Sequence, residues 1–199
     1  MRRKASRRTG CAPLPTCGRP TTGETAACEE VVDAYIRFYR RDAAQEIEFF
    51  HRLSLTDAIK HAGLCISPNG KRHPHQCRIP RSVLAEGERN LQACAAELAA
   101  SPTFARLHEI VRRELLGIHG IGVLAVYDVA TRLGAHLGLK PTRVYLHAGT
   151  AQGARALGLN HRRESLAMEE LPPAFRRLSP PEAEDCLCIF KGALASAAE

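Results

Sequence analysis

The residues best suited to chemistry lie between positions 65 and 147. The first set is a glycine turn, Ile118-His119-Gly120-Ile121-Gly122. Glycine at 120 and 122 frees the backbone for positive φ and for close approach by another group. If a helix starts immediately afterwards, the amides of the turn cluster beside its N-terminus, where a phosphate can sit. His119 could donate to that phosphate, or be a solvent-facing linker residue. The whole segment could equally be a plain turn between two packed helices.

The second set is the loop Lys71-Arg72-His73-Pro74-His75-Gln76-Cys77-Arg78-Ile79-Pro80-Arg81, with four fixed positive charges and no acid. A basic, donor-rich loop suits contact with a polyanion, with Lys71, Arg72, Arg78 and Arg81 as the groups that would make it. A solvated connection explains the same composition. Cys65, His73, His75 and Cys77 are also the residue types of a tetrahedral zinc site, although the His-x-His-x-Cys crowding departs from the usual paired spacing. Zinc is therefore carried as an option and no cofactor as the expectation.

The third set is Tyr127, Tyr145, His147 and Arg155, to which a reading as an enzyme adds Asp128. Tyr145, His147 and Asp128 could supply an acid–base group in a cleft, or satisfy one another beneath the surface. Asp128 and Arg132, four apart on one helix, read most simply as an ion pair. There is no Ser-His-Asp order, paired-carboxylate motif or phosphate-binding P-loop.

Composition limits what these sets can belong to. The 199 residues are 45% hydrophobic and 25% charged, as in an ordinary globular protein. No apolar run reaches the roughly 18–20 residues that would span a bilayer. No apolar segment follows the charged N-terminus, so no secretory signal is expected and a cytoplasmic location is. Net charge is +7, but residues 1–20 hold six of the 28 basic groups and no acid. The other 179 residues carry 22 basic against 21 acidic groups, so the body is nearly neutral. Eight cysteines, at 11, 17, 28, 65, 77, 94, 186 and 188, are too sparse for a disulfide scaffold and read as thiols.

The elements that must position these residues are all helical. Residues 1 to about 25 lack apolar periodicity and are expected to be disordered; residues 26–199 form one all-α domain. Apolar spacing from Cys28 to His51 predicts one long helix or two short ones. Ser54 or Thr56 caps a short helix that Gly63 ends. A helix with Leu84, Leu91, Cys94 and Leu98 inward runs to Ala100. Ser101-Pro102 opens the next, with Phe104, Leu107, Ile110, Val111 and Leu115 on one face. The glycine turn follows, then a helix to about Leu137 ended by Gly138. Thr150 to Leu157 is a further helix, and Ser179-Pro180-Pro181-Glu182 is a capping box for a last helix reaching about Leu194. No strand is expected.

Ser54 to Leu64, then two helices, then Gly117-Ile118-His119-Gly120-Ile121-Gly122-Val123-Leu124-Ala125, then Thr142-Arg143-Val144-Tyr145-Leu146-His147-Ala148, resembles the helix-hairpin-helix DNA glycosylase superfamily, the endonuclease III-like scaffold. The resemblance covers about residues 55 to 160. It implies an all-α, two-lobed protein with DNA pressed against the hairpin and a base flipped into the cleft between lobes. It also implies that the segments carrying Tyr127, Tyr145, His147 and Arg155 come together. The family's lysine, just after the hairpin glycines, is replaced here by Val123-Leu124. Its aspartate falls on Tyr145, two residues before His147. Cys186-x-Cys188 lacks the spacing for the family's iron–sulfur cluster. The resemblance thus supports fold and duplex DNA contact and argues against base excision.

Two functions follow. One is a DNA-binding protein that grips phosphate with Gly120, Gly122, His119 and the basic loop, without sequence preference. The other is an enzyme on the same scaffold, acting on nucleic acid or a small molecule through Tyr145, His147 and Asp128. No membrane partner is expected, and oligomeric state is open.

Overall fold

The computed structural model describes residues 23–197. They are mostly helical, and the segment from Cys28 to His51 resolves into two helices. These are α1, Gly23–Phe38, and α2, Arg40–His51, separated at Tyr39. The disordered tail expected for 1 to about 25 lies largely outside the described residues. Where they begin, at Gly23, the chain is already helical.

The next helix, α3, covers Leu55–Gly63. Ser54 caps it, its hydroxyl accepting from the Asp57 amide at 3.1 Å. The following pair is α4, Arg81–Ala93, and α5, Ala95–Ala99, broken at Cys94 rather than continuous to Ala100. The next helix, α6, is Phe104–Leu115, and its cap is Thr103, not Ser101, because the Thr103 hydroxyl accepts from the Arg106 amide at 3.3 Å. After the glycine turn comes α7, Val123–Leu137, ended by Gly138 in the left-handed region at φ 71°.

The C-terminal third departs most from expectation. Val144–Tyr145 and Ser165–Leu166 pair as a short antiparallel ladder, β1 with β2, where no strand was expected. Two residues per strand leave no periodicity to read. Between them α8 spans Ala148–Ala156, two residues earlier than Thr150. Ser179 and Glu182 form the expected capping box of α9, Pro180–Ile189, and a break at Phe190 separates it from α10, Lys191–Ala197.

These elements enclose two cores. The first is built by Phe50 of α2, Ile59 of α3, Leu91 of α4, Leu98 of α5, Leu107 and Ile110 of α6 and Leu133 of α7. The second takes Val32 and Tyr35 from α1, then Val144, Leu166, Phe175, Leu187 and Leu194 from the C-terminal third. Helix α1 and the C-terminal third therefore close on each other, and the middle of the sequence makes the other core. Burial of such side chains contributes about 1.5–3 kcal/mol each. Exposed ion pairs such as Arg177 with Asp33, 2.6 Å apart, are worth about 0–1 kcal/mol, so packing holds the arrangement.

Within the second core, α8 and α9 approach almost backbone to backbone. Gly149 and Gly153 lie one turn apart on α8. A Cβ on Gly153 would overlap the Leu187 carbonyl, and one on Gly149 the Cys188 sulfur. That contact sets the N-terminus of α8 beside Glu184 of α9.

Candidate functional site

The turn between α6 and α7 is set by its own hydrogen bonds. The Ile118 amide donates to the Leu115 carbonyl at 3.0 Å and the Ile121 amide to that of Ile118 at 3.1 Å. Gly120 takes φ 97°, a value an L side chain resists. Gly122 is the N-cap of α7 and offers no side chain to its free amides. Ile121 is buried and Ile118 packs on the first core. Both reach toward Gly87 of α4, where a Cβ would also overlap Leu115. Sequence reading missed Gly87, because a helical glycine carries no mark of the ridge that fills it.

The outer side of the turn is bare. His119, Gly120, Gly122 and Val123 are exposed, and a Cβ on Gly122 would meet nothing within 4 Å. The nearest neighbour of Gly120 is Val83, 3.9 Å from where its Cβ would stand. Val83 belongs to the first turn of α4, two residues after Arg81. The end of the basic loop therefore abuts the turn.

The loop itself is divided in role. Lys71, Arg78 and Arg81 are exposed. The Arg72 guanidinium is turned inward and donates to the Ile79 carbonyl at 2.6 and 2.7 Å, holding the loop closed. His73 faces Glu46 at 3.5 Å, and its pKa is pushed down to about 4 by burial and by Arg132. Cys65 is buried at φ 54°, with its thiol pushed up to about 11 by burial, whereas Cys77 is exposed. His75 is exposed beside Gln76. Among the described residues, no three His, Cys, Asp or Glu side chains gather as a metal ion requires.

Beside the turn a cleft of about 280 Å³ opens between the two cores. Leu116 and Val123, both exposed, stand at its mouth, with Arg112, Arg162 and Arg163 along the rim. Arg112 donates to Glu164 at 2.8 Å. Its floor is aromatic: the rings of Tyr127 and Tyr145 are 5.3 Å apart and those of His108 and Tyr145 4.7 Å. Burial raises the Tyr145 hydroxyl and lowers His108, which favours neutral forms of both.

Tyr145 and His147 both line this cleft; Asp128 does not. Asp128 faces a second cleft on the far side of Tyr127, with Gln76 donating its amide to the carboxylate. The expected Tyr145–His147–Asp128 set is thus split between two spaces. His147 is nearly buried and its Nε2 contacts the Glu184 carboxylate, to which Thr150 also donates at 2.7 Å. Asp128 does not pair with Arg132 as its spacing suggested, since Arg132 donates to Glu46 of α2 at 2.9 Å. Glu184 was legible only as an acid on the buried stripe Ala183, Glu184, Leu187 of α9.

Comparison with protein-family models, with curated proteins and with solved structures finds no match in any of the three.

Proposed function

We propose that this protein binds duplex DNA through its phosphate backbone, using the α6–α7 turn as a helix-hairpin-helix and showing little sequence preference. The observation that supports this most is the open space in front of Gly122 at the start of α7, with Gly120 exposed beside it. Amides at a helix N-terminus carry partial positive charge and need no side chain to hold a phosphate oxygen. Arg81, in the segment that abuts the turn, and the exposed Arg78 and Lys71 add charge on the approach. The tail of residues 1–20 supplies further salt-sensitive attraction without reading bases.

The endonuclease III-like resemblance fits the same reading. Two cores, a bare hairpin and a cleft beside it are what that scaffold requires. The resemblance puts Val123-Leu124 and Tyr145 at the places of its lysine and aspartate, so the reading stops at binding. The enzyme alternative gains nothing from the geometry, since Tyr145 and Asp128 address different clefts.

Gly122→Glu tests this directly. The substitution fits the open space and the ordinary φ of −103°, so stability is unchanged, yet it puts a carboxylate where phosphate would sit. Affinity for a short duplex should fall about tenfold or more, a loss of about 1.4 kcal/mol or greater. The measurement is repeated with Arg2, Arg3, Lys4, Arg7, Arg8 and Arg19 changed together to Gln. Binding that survives tail neutralisation and responds to Gly122→Glu upholds the turn. Binding lost with the tail and indifferent to Gly122→Glu removes it.

A further inference from the structure

We propose that the second cleft, between α2, the 74–76 turn, α7 and α9, is a binding site for a small organic cation, an ammonium or guanidinium group on a short apolar body. The cleft has a volume of about 250 Å³, at the small end for a ligand site. Four carboxylates line it, those of Glu46, Asp128, Glu184 and Asp185, and Arg132 is the single Lys or Arg in the lining. Glu46 takes up the Arg132 charge at 2.9 Å. Asp128, Glu184 and Asp185 hold neutral or histidine partners instead: Gln76 for the first, Thr150 and His147 for the second, the Tyr35 hydroxyl at 3.2 Å for the third.

A second observation points to a missing ligand. Gln76 is 1% exposed, and with its amide nitrogen on Asp128 its Oε1 has no donor. Tyr127, 4% exposed, has a hydroxyl without any partner. Buried polar atoms are almost always paired, and one left alone costs about 1–3 kcal/mol. The lone Nη1 of Arg132 and Nε2 of His73 in the same lining lie beside Glu46, so a ligand rich in N–H groups would answer the lone acceptor and the remaining carboxylates together. A bare metal ion would not, because no three of these acids converge among the described residues. The ligand must span the distance between them, and Ile47, Phe50, Pro74 and Ala135 give its carbon body an apolar wall.

Asp185 is the carboxylate most open to an incoming ligand. It keeps contact with solvent while the walls of the cleft and the neighbouring Glu184 push its pKa up to about 7.

The probe is agmatine, with an amine and a guanidinium at the ends of a butyl chain, titrated into the full chain by calorimetry at about pH 8 and low salt. Saturable one-to-one binding is expected, with none for 1,4-butanediol. Asp185→Asn and Asp128→Asn should each weaken it about tenfold. Glu109→Gln, which removes an exposed acid on α6, should leave it unchanged. Absence of saturable agmatine binding, equal binding of the diol, or equal loss in Glu109→Gln overturns the proposal. The same titration on the tail-neutralised chain separates two sources of the cation. Tighter agmatine binding there means that the chain's own tail competes for the cleft; unchanged binding means that the site serves a free molecule. DNA affinity plays no part in this readout, so failure of the duplex-binding proposal leaves it intact.

Discussion

The two clefts on either side of Tyr127 share one wall and have opposite characters. Toward the α6–α7 turn, the lining combines tilted, closely packed Tyr and His rings with Arg112, Arg162 and Arg163. Toward α2 and α9 it collects four carboxylates. A body with 22 basic and 21 acidic groups after residue 20 is thus not neutral in detail. Among the described residues the fold sorts charge to two addresses, with arginines on the side near the start of α7 and carboxylates on the other. An acidic cleft facing DNA would cost affinity through like-charge repulsion.

The contrast can be broken most severely at Gly153. Gly153→Ala drives a Cβ into the Leu187 carbonyl and parts α8 from α9, and with them His147 from Glu184. A loss of about 3 kcal/mol in urea unfolding is expected. An unfolding midpoint equal to wild type would show that this contact does not hold the clefts in place.

Next in size is Gly120→Ala. The backbone there sits at φ 97°, so an L side chain should cost about 1–2 kcal/mol. Gly122→Ala, at an ordinary φ and facing open space, should change stability by less than about 0.5 kcal/mol. Equal effects at the two glycines would contradict the turn geometry.

Asp185→Asn sharpens the acidic side. Its folded pKa of about 7 exceeds the unfolded value of about 3.9, so the fold prefers the protonated form. Stability therefore declines as pH rises from about 4 to about 7 and levels off above that. The variant lacks this decline. Because Asp185 touches solvent, screening reduces the effect to about 1 kcal/mol, or about 2–4 °C in Tm, in favour of the variant at pH 8 and vanishing near pH 4. A variant equal to wild type at both pH values would remove the electrostatic conflict from the cleft.

Tyr127→Phe should be smallest. It deletes a buried hydroxyl that has no partner, so stability should stay within about 0.5 kcal/mol or improve. A larger loss by thermal unfolding would mean that the hydroxyl is bonded in solution.

Local signals were readable where one residue suffices to make them. Ser54 and the Ser179/Glu182 box cap the helices they were expected to cap, and Gly138 takes a left-handed φ at the end of α7. The Thr103 cap was missed because Ser101-Pro102, two residues earlier, offers the same chemistry. The β1–β2 pair was missed because its two strands are twenty residues apart and two residues long. Of the candidate residues, Tyr127, Tyr145 and His147 line one cleft and Arg155 lines neither, while Asp128 goes to the other and Arg72 turns inward to close its loop.

By itself the sequence determined the helical character of the chain and the glycine turn, because helix periodicity, caps and positive-φ glycines act over a few residues. Only the tertiary structure decided which side of α7 each polar group faces. Asp128 and Gln76 are 52 residues apart, and His147 and Glu184 37, so their pairing depends on how distant segments pack within each core and on no local preference.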